Sequence, residues 1–152
     1  MTEFQKVYDR FLGKITDDMY LEWTPEDTLK DCYNILIDAV PGFEFPRKSL
    51  SYTGDAFDAD LTSEEINIIA VLMMNVWLQR QMTSVENTRQ KYSGNDFKMT
   101  SQANHLGKLI ELKKESERQD RHLQRLYKRR KIDENGNVTS NWSILIKNSA
   151  LE

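Results

Sequence analysis

Cysteine occurs once in this chain of 152 residues, histidine twice, proline three times and glycine six times. The lone Cys32 forbids an internal disulfide and suits a reducing compartment. So little proline and glycine disfavours a turn-rich all-β fold. His105 and His122 stand 17 positions apart. On one continuous helix that is about 25 Å, on different faces, so they do not form a zinc pair. The longest apolar run, residues 66–78, has 13 positions and is interrupted by Asn67 and Asn75, short of the roughly 20 that cross a bilayer. The opening MTEFQKVYDRF has neither a signal-peptide core nor transit-peptide character, and the sequons at Asn137 and Asn141 have no meaning without secretion. No glycine-rich phosphate loop, nucleophile elbow or paired-cysteine motif is present. Asp55, Asp58 and Asp60 lack the spacing and central glycine of a calcium loop, and Ile66 falls at its twelfth position. They read as a solvated loop that places negative charge ahead of the next helix.

Charge is abundant, and it is split by sign. Residues 1–65 carry 6 basic against 15 acidic side chains, and residues 66–152 carry 15 against 9. Residues 113–131 alone hold nine Lys or Arg and three acids. Such asymmetry implies an anionic partner, or copies of the chain meeting acid to base. A hydrophobic content of 39% is enough for one modest core, while a mean hydropathy of −0.67 requires extensive solvated surface.

Periodicity predicts helices in order. Phe4, Val7, Tyr8, Phe11 and Leu12 form one helical face, with Thr2 placed to cap its start and Gly13 to end it. Met19, Tyr20 and Trp23 have helical spacing but little length. Thr24-Pro25-Glu26-Asp27 opens a second helix, in which Leu29, Cys32, Tyr33, Leu36, Ile37 and Val40 make one stripe until Pro41-Gly42. Cys32 therefore reads as a core residue rather than a nucleophile. Residues 43–60, with Pro46, Gly54 and scattered aromatics, read as a loop packed down by its own side chains. Thr62-Ser63-Glu64-Glu65 is a capping box, flanked by Leu61 and Ile66 as a hydrophobic staple. The helix that follows has almost no polar face, so its own domain or neighbouring subunits must surround it. Beyond Arg80 the pattern thins to Met82, Val85 and Tyr92, and Ser93-Gly94-Asn95-Asp96 breaks it. A last helix is expected from about Thr100 to Lys131, roughly 45 Å long. Its heptad seam would be Leu109, Leu112, Ser116, Gln119, Leu123 and Leu126, with a polar centre resting on solvent or a polar neighbour. The turn residues 133–137 between Ile132 and Val138 allow a small hairpin. The β-prone apolar segment Trp142, Ile144, Leu145 and Ile146 follows.

The expected fold class is all-α. A small bundle of about four main helices with one long charged C-terminal helix would occupy residues 1–131. An extended C-terminal docking arm, able to form a β-hairpin, would occupy residues 132–152.

This order of elements resembles tailed-bacteriophage head–tail connector proteins, also called adaptor, head-completion or neck proteins. The residues behind the resemblance are Val7-Tyr8-Asp9-Arg10-Phe11-Leu12, Phe45-Pro46-Arg47 and Leu61-Thr62-Ser63-Glu64-Glu65-Ile66. The run 73–78, Asn95-Asp96-Phe97-Lys98 and the terminal Trp142 to Ile146 complete it. The likeness covers most of the chain in style, although the last helix is longer than is usual in that family. It implies a structural virion protein without catalytic activity or cofactor, assembled in the host cytoplasm and located in the virion neck. Such subunits form a ring, typically of twelve, beneath the portal protein. DNA passes through the lumen without being read, and a tail or second neck protein attaches below. The arm residues Trp142, Ile144, Leu145 and Ile146 would dock on the portal. Lys113, Lys114, Arg118, Arg121, Arg125, Lys128, Arg129, Arg130 and Lys131 would form a basic face toward a neighbouring subunit or toward DNA.

A different class fits the same cations. A helical protein binding nucleic acid without sequence reading, such as a small terminase subunit or a regulator, also needs dense Lys and Arg for phosphates. No compact helix-turn-helix pair with a basic recognition helix accompanies them. An enzyme would require carboxylates that converge only in three dimensions.

Overall fold

The computed structural model describes residues 1–15, 19–91, 96–132 and 138–140, and the chain is mostly helical. Strand β1 (Thr2–Glu3) runs directly into α1 (Phe4–Leu12), which buries Phe4, Val7, Tyr8 and Phe11 as its period predicts. Gly13 caps its C-terminus, with its N–H on the Asp9 carbonyl. Thr2 does not cap α1, contrary to expectation. Its hydroxyl instead accepts the N–H of Leu61 at 2.7 Å, tying the first strand to a point 59 positions on.

Helix α2 (Met19–Glu22) is a single turn. Helix α3 (Pro25–Ala39) starts as expected: the Thr24 hydroxyl accepts the Asp27 N–H at 3.2 Å and donates to the Asp27 carboxylate at 2.6 Å. A 3₁₀ turn, Val40–Gly42, ends it. The buried side of α3 is Cys32, Ile35, Leu36 and Ala39, rotated from the predicted stripe. Two apolar stripes overlap on this helix and the core takes only one, leaving Leu29 43% and Tyr33 36% exposed.

Residues 43–60 are more regular than predicted. Strands β2 (Tyr52–Thr53) and β3 (Ala56–Phe57) form a tight hairpin about Gly54, whose φ of +60° is the left-handed region that glycine enters without strain. Strand β3 also pairs with β1, so the antiparallel order is β1-β3-β2 with Thr2 opposite Phe57. The sheet was invisible locally because its third strand comes from the other end of the N-terminal half.

Helix α4 (Ser63–Lys91) begins on the predicted capping box. The Glu65 N–H reaches the Thr62 hydroxyl at 3.3 Å, and the Thr62 N–H reaches the Glu65 carboxylate at 2.7 Å. Residues 68–73 of α4 are buried on every side. The chain itself surrounds them: α1 and α3 pack against α4, and α5 (Asp96–Arg129) packs along it. Helix α5 has 34 residues, about 51 Å, and runs antiparallel to α4, since Tyr127 near its end bonds Glu65 near the start of α4.

The seam of α5 keeps Leu109, Ser116 and Leu123 of the heptad prediction and replaces its alternate positions. Leu106, Leu109, Ser116 and Tyr127 are buried, with Lys113, Asp120 and Leu123 half-buried between them. Leu112 is 51% exposed and Gln119 is exposed. The phase follows Tyr127, a large side chain whose buried hydroxyl is satisfied, over Leu112, which an apolar count favours. Beyond α5, β4 (Arg130–Ile132) and β5 (Val138–Ser140) pair antiparallel, with Ile132 opposite Val138. The proposed docking residues Trp142, Ile144, Leu145 and Ile146 lie outside the described residues.

Candidate interaction surface on the last helix

The rotation of α5 is set at its C-terminal end. Tyr127 is buried, and its hydroxyl donates to Glu65 at 2.5 Å while accepting the Arg47 N–H at 3.0 Å. The Arg47 guanidinium lies 3.8 Å from the Tyr127 ring centroid. It donates to the Tyr127 and Arg130 carbonyls at 2.5 and 2.6 Å, so it satisfies acceptors that a helix end leaves open. Phe43 packs edge-on to the same ring. Gln124 donates to the Gly42 carbonyl and accepts the Glu44 N–H, both at 3.0 Å. Burial pushes the Glu65 carboxyl up, but the Tyr127 hydroxyl and the N–H and hydroxyl of Thr62 outweigh it, leaving Glu65 below the ordinary carboxylate range. Burial and the bond to Glu65 push the Tyr127 phenol up to about 12, so it stays a proton donor at physiological pH.

With Tyr127 facing inward, the helical period turns most of the cations outward. Lys114, Arg118, Arg121, Arg125, Lys128 and Arg129 fall on one solvent-facing stripe, and all six are exposed. The stripe covers about 22 Å of helix. Among the described residues its only carboxylate partner is Glu115, 3.4 Å from Arg118, and both side chains of that pair are well exposed, so it neutralises little. Lys128 also rests 4.0 Å over the Phe45 ring. The other predicted cations are placed differently. Lys113 turns toward α4, half-buried, and pairs with Glu117 at 2.6 Å. Arg130 pairs with Glu64 at 2.8 Å. The side chain of Lys131 lies outside the described residues.

Helix α3 carries the opposite charge. Asp27, Asp31, Asn34 and Asp38 recur along the side turned away from Ile35, Leu36 and Ala39. Arg80 of α4 reaches Asp31 at 3.0 Å and Asp38 at 3.3 Å, and the Tyr20 hydroxyl donates to Asp31 at 2.6 Å. Glu22, Glu26 and Asp27 have no cationic partner among the described residues, and no α5 cation there pairs with an acid of α1, α2 or α3. A pocket of about 300 Å³ lined by Trp23, Asp27, Lys30, Asp31 and Asn34 opens on this face. A larger groove of about 660 Å³ runs between α1, α3 and the sheet, lined by Phe4, Tyr8, Leu29 and Tyr33 with Glu3 and Asp55 at its edge.

Cys32 is buried, and burial together with Asp31 pushes its thiol up to about 11, which makes it a poor nucleophile. Among the described residues, no three His, Cys, Asp or Glu side chains are grouped so as to hold a metal ion. None of the described helices is long and apolar enough to cross a membrane.

Three contributors escaped sequence reasoning. Arg47 stands in the Phe45-Pro46-Arg47 motif without an assigned role, Tyr127 falls outside the predicted seam, and Arg80 marks only the end of an apolar run. The signal for Arg80 was its place as the single charge of residues 66–85, one turn past Trp77. No local signal pairs Arg47 with Tyr127, 80 positions away. No family model, curated protein or solved structure matches this chain.

Proposed function

We propose that the chain is a structural subunit of a phage neck: a head–tail connector that assembles into a ring under the portal, carries the DNA channel and offers the attachment surface for the tail. One observation carries the reading. The acidic and basic surfaces belong to different helices packed on α4, and among the described residues no ion pair joins one to the other. A closed ring is built from heterologous contacts, in which one surface meets a different surface of the next copy. Complementary charge sets register and partner choice in such contacts. The resemblance in element order supports the phage setting, and the apolar segment Trp142, Ile144, Leu145 and Ile146 supplies a portal-docking element at the end of the chain. Basic residues lining a lumen would hold translocating DNA tightly, so the cations of α5 are assigned to subunit contacts.

The stripe also suits the phosphates of a nucleic acid, which makes a helical DNA-binding protein the second reading. Native mass spectrometry and electron microscopy of the protein, with and without its portal ring, separate the two. A ring, alone or templated by the portal, supports the connector. A strict monomer indifferent to the portal that retards duplex DNA in a salt-dependent way supports the alternative.

A further inference from the structure

We infer that the exposed stripe of α5 seats on the α3 face of a second copy of this chain, helix against helix, and that this is the contact that repeats around the assembly. The inference rests on the self-assembly reading above and names the two surfaces it requires.

The first ground is geometric. On α5, Lys114, Arg118, Arg121 and Arg125 are spaced four, three and four residues apart. On α3, Asp27, Asp31, Asn34 and Asp38 have the same spacing. Each set covers about 17 Å of helix. The order four-three-four reads the same in both directions, so the match holds for parallel or antiparallel crossing.

The second ground is charge. The α5 stripe presents six exposed cations with, among the described residues, one weak carboxylate partner, Glu115. The α3 face presents Glu22, Glu26, Asp27, Asp31 and Asp38 against Lys30 and Arg80, and so remains negative after its internal pairs are made. Asn34 offers a carbonyl oxygen to a guanidinium at the one neutral position. Trp23, 38% exposed at the head of this face, borders the pocket that Asp27, Asp31 and Asn34 line. An aromatic ring beside carboxylates is a setting in which an arginine gains both a charged hydrogen bond and a cation–π contact.

The third ground is that the match cannot be used internally. The buried sides of α3 and α5 are occupied in the core, and Tyr127 fixes the rotation of α5, so the two patterned faces of one chain do not meet. The contact therefore joins two copies, and where it is heterologous it repeats from copy to copy.

Two variants test it. One carries Arg118→Glu, Arg121→Glu and Arg125→Glu. The other carries Asp27→Lys and Asn34→Lys, which leave the Arg80 pairs intact. Circular dichroism and thermal melts establish that each is folded, and the single changes Lys114→Glu on α5 and Asn34→Lys on α3, both at exposed positions, serve as milder versions should the corresponding variant fail to fold. Assembly is read by sedimentation and native mass spectrometry over a concentration range, with the portal ring as template. Each variant alone is expected to lose assembly affinity by at least about tenfold, since like charges then face each other. An equimolar mixture is expected to regain it. The reversed α5 then meets the reversed α3, and the two native faces meet at the alternate contact. Assembly of the α5 variant at wild-type strength overturns the inference while leaving the connector reading standing, and if duplex-DNA retention is lost at the same time the stripe is a nucleic-acid surface. Loss in the α5 variant with full assembly of the α3 variant overturns the pairing with α3. Absence of assembly by the wild type overturns the connector reading itself, and this inference with it.

Discussion

The hydroxyl of Tyr127, two residues before the end of α5, donates to the carboxylate of Glu65, in the first turn of α4, across 62 positions of sequence and 2.5 Å of space. Glu65 also closes the capping box, its other oxygen holding the N–H and hydroxyl of Thr62. A single carboxylate thus starts one long helix and locks the rotation of the other. The outward direction of the cationic stripe follows from that lock.

Tyr127→Phe removes the donor to Glu65 and the acceptor for the Arg47 N–H while keeping the ring. A buried carboxylate then loses one of its bonds, which costs about 1–3 kcal/mol. Urea unfolding at neutral pH measures it as a lower midpoint. An unchanged midpoint would show that α5 is held by apolar packing alone.

Glu65 predicts an acid-sensitive term. Its pKa is lower in the folded chain than in the unfolded one, so the unfolded chain takes up the proton first as pH falls. The stabilisation is complete above the ordinary glutamate pKa of about 4.3 and is lost as pH drops through the lower folded value. Glu65→Gln keeps an oxygen acceptor for Tyr127, and it should flatten this part of a stability-against-pH curve.

The polar stretch of α5 that faces α4 predicts two stabilising changes. Burial raises the Asp120 carboxyl above its ordinary range, against the hydrogen bond from Gln124. The folded chain therefore holds that proton more tightly, and stability declines as pH rises from the unfolded pKa through the folded one. Asp120→Asn should raise the thermal midpoint at pH 7 and lose that advantage below pH of about 4. Ser116 has a buried hydroxyl without a hydrogen-bond partner among the described residues, and Ser116→Ala should add about 1 kcal/mol. Thermal melts of both variants against wild type decide.

The arm predicts a separable activity. A chain ended after Ser140 keeps every described element, and it should retain its helical circular dichroism and cooperative melt while losing co-sedimentation with the portal ring. Unfolding of this shortened chain would instead place the apolar terminal segment in the core.

Salt predicts the strength of self-association. Raising ionic strength from about 0.1 M to about 1 M shortens the screening length from about 10 Å to about 3 Å. Contacts between the α5 stripe and an acidic face should weaken accordingly, measured as a rise in the concentration at half assembly. Assembly indifferent to salt would mean that apolar surface drives it.

Several features were determined by the sequence alone, because they depend on neighbours. The Thr24 cap, the Thr62 to Glu65 capping box and the buried face of α1 involve residues within one or two turns of each other, where spacing reports contact directly. The sign of charge along α5 was legible for the same reason. What the tertiary structure decided lies at long separation. Phase was one such matter: α3 and α5 each carry two plausible apolar stripes, and only packing against α4 selects Ile35 over Leu29 and Tyr127 over Leu112. Partnership was the other. Thr2 bonds Leu61, Arg47 closes the end of α5, and Arg80 holds Asp31 and Asp38, all across distances at which local pattern carries no information. Those choices sort the nine cations of residues 113–131 into six on the solvent-facing stripe, of which Arg118 has one exposed partner, then Lys113 and Arg130, which pair off the stripe, and Lys131, whose side chain lies outside the described residues. Composition sets how much charge a chain has, and burial of its apolar side chains settles which of it remains available to a partner.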